Sequence, residues 1–265
     1  MLNKSYNYII YSLENSVATI YLNRPNKLNA INYPLLLEMI DILENLKRFK
    51  EIRVVIITGK GLAFSSGDDM KNMGPDGVRF KPLEDGSKLP HHKVIRLIRE
   101  IKKPVVALLH GYCLGAGFEL ALACDFRLAA DNLKIGDHRV TRAQCVMSGA
   151  SWLLPRLIGF ARATDLILTG RQLNAEEAYK IGLINFYFPL SIFEEKSKEF
   201  VNKLAALPTK CLGYNKTMLN FSQYNELFPS LSHEFKLYAK NINSFDFWEG
   251  MTSFKEKREP NFIGK

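Results

Sequence analysis

Cysteine is scarce in this chain, and what there is falls into no pattern. Cys113, Cys124, Cys145 and Cys211 make no C-x-x-C pair and no zinc spacing, which argues against a disulfide framework or a zinc module and leaves buried, reduced thiols. Five histidines include one adjacent pair, His91-His92, read here as part of a polar loop without partners at helical or strand spacing; no metal is implied. The longest apolar stretch, Val105 to Ala130, is interrupted by His110, Glu119, Asp125, Arg127 and two glycine turns, so no membrane span is expected. The start, Met1-Leu2-Asn3-Lys4-Ser5-Tyr6, lacks the apolar core and small-residue cleavage site of a secretory signal, and a cytoplasmic location is expected. Internal repeats and low-complexity tracts are also missing.

What is present suits a globular protein. At 265 residues, 47% apolar and 24% charged, the chain is long enough for one sizeable core with an appended segment. Lys and Arg number 36 against 27 Asp and Glu, a net charge of +9 that favours an anionic partner: nucleic acid, a phosphorylated cofactor or an acidic surface. The basic clusters Lys47, Arg48, Lys50, Arg53 and Lys255, Lys257, Arg258 are interrupted by Glu51, Glu256 and Glu259 and read as solvated faces. No aromatic-basic interleaving suggests a single-strand platform, which counts against nucleic acid.

Along the chain, Tyr8–Ser12 and Val17–Leu22 read as strands joined at Glu14-Asn15. Asn32 offers a helix cap, Pro34 fits the first turn, and Leu36, Leu37, Ile40, Leu43 and Leu46 follow at helical spacing. Strands are expected at Arg53–Thr58, Pro104–Leu109, Phe126–Ala130 and Leu183–Phe186, separated by helical segments, which makes an α/β core. The breaker-rich run from Asn72 to Pro90 reads as a flap beside a ligand. After Pro189 only helical segments follow, Ile192–Leu207, Cys211–Phe221 and Leu231–Ile242, giving expected boundaries of 1–190 for the core and 191–265 for a helical segment.

Two stretches carry the chemistry: Phe64-Ser65-Ser66-Gly67-Asp68-Asp69-Met70 and His110-Gly111-Tyr112-Cys113-Leu114-Gly115-Ala116-Gly117-Phe118-Glu119. Each is a strand-like run giving way to small residues and then a helical pattern, so each can aim free backbone N–H groups at an anion or carbonyl oxygen. Facing one another, they would form an oxyanion hole. Gly115 and Gly117 permit close approach of a ligand to main chain. A dinucleotide-binding turn fails at the third glycine, where Leu120 stands. Glu119 opens an apolar helical run; burial and the helix N-terminus act on it in opposite senses, a competition that poises a carboxylate for proton transfer. A glutamate merely capping its own helix is the alternative.

These motifs, with Arg24-Pro25-Asn26-Lys27-Leu28-Asn29-Ala30-Ile31 before them and Trp248 to Phe254 near the end, resemble the crotonase superfamily, also called the enoyl-CoA hydratase/isomerase family. The resemblance implies a spiral of repeated ββα units with a C-terminal helical trimerisation segment, assembled as trimers or pairs of trimers. It implies an acyl-CoA thioester as substrate, coenzyme A entering only as part of it and no cofactor held permanently. It places the two N–H donors on Asp68 and Ala116, with Gly67 and Gly115 preceding them, and the acid/base on Glu119. CoA contacts fall on Lys27, Leu28, Ala30, Ser66, Asp69, Met70 and Lys71. The Asp68 carboxylate is expected to point away, since turned inward it would oppose an oxyanion.

One position departs from the hydratase pattern. Where hydratases carry a second glutamate in a stretch reading roughly G-x-P-E, this chain has Ile135-Gly136-Asp137-His138-Arg139. Arg139 cannot donate a proton near neutrality. Asp137 takes part of the missing role, or Arg139 pairs with Glu119 or with a substrate carboxylate. The stretch Cys145 to Trp152 replaces the usual glycine-rich turn, with Trp152 either narrowing the acyl pocket or sitting in the core. Hydration of an enoyl-CoA or migration of its double bond leads; decarboxylation or hydrolysis of a carboxylated or unusual acyl-CoA, and a non-catalytic RNA-binding relative, stay open.

Overall fold

The computed structural model describes residues 4–72 and 89–265. The expected flap between Asn72 and Pro90 lies almost wholly outside the described residues.

Strands β1 (Ile9–Glu14) and β2 (Val17–Leu22) form a hairpin in which Glu14 pairs with Val17. The turn is therefore Asn15-Ser16, one residue later than expected. Both turn residues take positive φ, 47° and 65°, the twist that a two-residue hairpin loop requires and that asparagine tolerates. Helix α1 (Tyr33–Arg48) starts as expected: the Asn32 side chain accepts from Leu35 N at 3.1 Å and Pro34 sits in the first turn. Its buried face is Leu35, Leu36, Met39, Ile40, Ile42, Leu43 and Leu46, while Leu37 is exposed.

Strand β3 (Val54–Gly59) is buried at all six positions, as a strand covered on both faces must be. With β4 (Val105–Leu109), β6 (Phe126–Ala130) and β9 (Phe186–Phe188) it continues a six-stranded sheet in the order β1-β2-β3-β4-β6-β9, parallel from β2 onward. A small sheet joins β5 (Tyr112–Leu114), β7 (Lys134–Gly136) and β8 (Leu173–Asn174). The strand expected at Leu183–Phe186 is displaced to β9; Leu183 and Ile184 are buried in the turn that precedes it.

Helices α1, α2 (Pro90–Glu100) and α3 (Ala116–Ala123) cover one face of the large sheet. The histidine pair thus belongs to a helix and not to a loop. Pro90 supplies the first turn, and His91, Val94, Leu97 and Ile98 form its buried face. Helices α4 (Ala150–Ile158), α5 (Phe160–Thr169) and α6 (Ala175–Lys180) follow, the last opened by a capping box between Asn174 and Glu177.

After β9 every element is helical: α7 (Leu190–Ala206), α8 (Thr209–Ser222), α9 (Leu227–Asn241) and α10 (Phe245–Glu256). Phe193, Val201 and Leu204 of α7 bury a second cluster against the other sheet face, with Val54, Ile56, Val106 and Leu128. Arg53, expected on a solvated face, instead bonds Thr209 Oγ1 at 3.0 Å and the carbonyls of Leu207 and Phe262, fastening the C-terminal helices to the sheet. Among the described residues no helix is long and apolar enough to cross a membrane.

Candidate active site

The two glycine turns are locked together by backbone hydrogen bonds. Ser65 N donates to Tyr112 O at 2.8 Å and Leu114 N to Ser65 O at 3.0 Å. Beyond this bridge both chains turn through glycines of positive φ, Gly67 at 100° and Gly115 at 51°. A Cβ on Gly67 would lie 3.0 Å from Leu114 O and 3.5 Å from Gly115 Cα, so only glycine lets the turns approach this closely. Asp68 and Ala116 are the next residues of the two turns. Ala116 is the first residue of α3, whose leading N–H groups have no intrahelical acceptor.

The segment expected to meet CoA runs alongside the first turn. Ser66 N donates to Leu28 O at 2.9 Å, Ile31 N to Gly67 O at 2.7 Å, and Asp69 N to Ile31 O at 2.9 Å. Arg24 holds Ala30 O and pairs with Asp69 at 2.7 Å, and with burial opposing, that bond keeps the Asp69 carboxyl below its ordinary pKa. These bonds tie Leu28, Ala30, Ser66 and Asp69 together, and Lys27, Met70 and Lys71 are exposed beside them in sequence.

Glu119, one turn into α3, is wholly buried. It does not cap its own helix. Its Oε1 accepts from Ser148 N at 2.7 Å and Met147 N at 3.1 Å, with a longer contact from Ala150 N at 3.4 Å. Oε2 forms an ion pair with Arg139 Nη2 at 2.8 Å. One oxygen is saturated by amides and fixed; the other faces the guanidinium.

Arg139 is buried, and its aliphatic stem packs over Gly115. The chain is not extended there: β7 ends at Gly136 and a 3-10 turn begins at Arg139, so the side chain folds back onto Asp137 in a bidentate pair. Asp68 Oδ2 stands 3.8 Å from Arg139 Nη1. Burial opposes the guanidinium charge, but the Asp137 bonds and the charges of Glu119 and Asp68 raise its pKa above the ordinary value. Of the three roles open to Arg139 and Asp137, the pairing of Arg139 with Glu119 is the one seen. The Asp68 carboxylate is buried between Arg139 and His91, whose Nε2 is 3.3 Å from Asp68 Oδ1.

His91 is the residue that sequence reasoning missed. Its signal was present in Pro90 followed by apolar residues three, six and seven positions after His91. Trp152 stacks on Tyr224, centroids 4.8 Å apart, and lines a cleft of about 730 Å³ together with Ile95, Ser148 and Gly149.

Comparison with known proteins identifies the family and the fold. The sequence model of the enoyl-CoA hydratase/isomerase family matches residues 12–265. The chain is 34% identical to a crotonyl-CoA hydratase of Syntrophomonas wolfei, over 98% of this chain and 100% of that one. It is 32% identical to the 1,2-epoxyphenylacetyl-CoA isomerase of Escherichia coli, over 97% and 99% of the two chains. The crystal structure of an enoyl-CoA hydratase from Bacillus anthracis superposes with a TM-score of 0.91 at 34% identity, covering 98% of this chain and all of that one. The family model, the relatives at this identity and the shared fold place the chain: it belongs to the enoyl-CoA hydratase/isomerase family, the crotonase superfamily.

Proposed function

We propose that this chain is an acyl-CoA enzyme that moves a double bond, converting a 3-enoyl thioester to its 2-enoyl isomer through an enolate. The carbonyl oxygen sits between the N–H groups of Asp68 and Ala116, each worth about 3 to 4 kcal/mol to the developing charge. CoA lies along Lys27, Leu28, Ala30, Ser66, Asp69, Met70 and Lys71. Glu119 Oε2 carries the proton.

The observation that favours migration over hydration is the Arg139–Glu119 pair at 2.8 Å. Hydration by two carboxylates needs a second acid beside the water, and a guanidinium cannot serve. Migration needs one carboxylate that removes a proton from the α carbon and leaves the charge delocalised to the γ carbon. Three carboxylates, Asp68, Glu119 and Asp137, surround the one guanidinium, which argues against a substrate carboxylate docking on Arg139. The apolar side chains left exposed on the C-terminal helices, Leu227, Phe228, Phe235, Trp248 and Phe254, support assembly of subunits through that segment.

The test follows the absorbance of the conjugated thioester with 3-enoyl-CoA and, separately, 2-enoyl-CoA. Isomerisation is expected to exceed hydration by about tenfold or more, and Glu119→Gln to slow it by about 10²- to 10⁴-fold. Hydration outrunning isomerisation, or a fully active Glu119→Gln variant, would overturn the reading.

A further inference from the structure

His91 is 5% exposed, yet among the described residues neither ring nitrogen has an aligned hydrogen-bond partner. A histidine in a structural role ordinarily has both nitrogens satisfied, since leaving a buried donor or acceptor unpaired is costly. Here Nε2 faces Asp68 Oδ1 at 3.3 Å, and Nδ1 has no hydrogen-bond partner among the described residues.

The surroundings of the ring are those of the reaction. Two voids of about 10 Å³ each adjoin it. One is shared with Ala116, the second N–H donor, and with Ser148, whose amide fixes Glu119 and whose own buried Oγ also lacks a partner among the described residues. The other is shared with Asp68 and Asn32. His91 thus stands between the two donor turns, oriented by a carboxylate, with one nitrogen uncommitted. An imidazole next to a carboxylate is the side chain suited to give and take a proton near neutral pH.

We propose that His91, oriented by Asp68, is a second proton-transfer residue of the acyl-CoA site; this rests on the isomerase reading above. In the first step the α C–H bond breaks, Glu119 Oε2 takes the proton and the electron pair passes into the thioester oxygen as a dienolate. In the second, the His91 N–H bond breaks, its proton bonds to the γ carbon, and the electrons return from oxygen to close the conjugated double bond. Glu119 then loses its proton to water and His91 regains one from water, so the balance closes without another reactant.

The experiment uses 3-enoyl-CoA deuterated at the α carbon, turned over in ordinary water by the full-length protein. With two groups at work the deuterium leaves on Glu119 and the γ position takes protium. His91→Gln is expected to slow isomerisation about 10²-fold and to shift the residual product towards deuterium at the γ carbon, because Glu119 must then deliver what it removed. Binding of a non-reactive saturated acyl-CoA shows that the variant site is assembled; His91→Asn is read in its place if the glutamine variant does not bind. Wild type retaining the label, or a binding-competent variant that is slower or equal in rate with unchanged labelling, overturns the proposal. Failure of the isomerase reading is distinct: wild type would not turn over the substrate, or Glu119→Gln would do so normally.

Discussion

Helices α1, α2 and α3 form one layer with two charged ends, and the ends are built differently. At their C-termini sit three buried cations. Lys103 donates to Leu46 O in the last turn of α1 and to Phe49 O just beyond it; Lys216 donates to Ile98 O of α2, to Lys103 O and to Asp125; Arg127 donates to Ala121 O and Cys124 O at the end of α3 and to Leu183 O. Each of the three reaches at least one carbonyl at a helix C-terminus (Leu46 and Phe49, Ile98, Cys124), where positive charge is favoured. At the N-terminal end lie Asp68, Glu119, Asp137, Arg139 and His91, and there polar atoms remain unmatched: among the described residues, both His91 nitrogens, Arg139 Nη1 and Ser148 Oγ have no aligned hydrogen bond. A buried charge cluster in which everything is paired holds the fold. One with uncommitted atoms is ready for something else.

The sharpest way to break this contrast is to remove the central cation at each end. Arg139→Met leaves Asp137, Glu119 and Asp68 buried without their shared counter-charge, and the expected loss is about 3 to 5 kcal/mol in urea unfolding. A smaller loss would mean that the amides around Glu119 already carry most of the compensation. Lys216→Met strands a single carboxylate, Asp125, which is partly exposed and still accepts from Val105 N at 2.8 Å. About 1 to 3 kcal/mol is expected there, with the isomerisation rate per folded molecule unchanged. A Lys216→Met variant that folds but loses turnover would show that the two ends communicate.

Much of this layer was legible in the sequence. Asn32 and Pro34 announce α1; Val17–Leu22 and Phe126–Ala130 are strands with the expected bounds; Gly67 and Gly115 mark the two turns, and Arg139 marks the departure from two-carboxylate hydration. What could not be read was non-local. Lys216 reaches Asp125 across 91 positions, and no local pattern predicts that a lysine of an exposed-looking helix ends beneath α2. His91 was hidden differently: the breaker-rich run before it drew the pair into a loop, although Pro90 and the spacing to Val94, Leu97 and Ile98 describe a helix. Arg53 shows the limit of charge patterning, since a basic cluster on the surface and a guanidinium bonding three distant acceptors look alike in sequence.

The smallest effect tests whether the paired end is as comfortable as its hydrogen bonds suggest. Burial pushes the Lys103 ammonium down to about 8, with the charge of Glu51 opposing, whereas an unfolded lysine titrates near about 10.4. Between these values the unfolded chain holds a proton that the folded chain has released, so stability attributable to this residue rises with pH across that window. Thermal unfolding of the wild type and Lys103→Met, compared from neutral pH to about 10, should show the wild type gaining on the variant only above about pH 8. Parallel curves would mean that the Leu46 and Phe49 carbonyls compensate the charge in full, and the contrast between the two ends would then be sharper still. A gain confined to the alkaline side would show that even the matched end retains some strain from desolvation, which separates the ends by the unmatched atoms around His91 and not by the burial of charge as such.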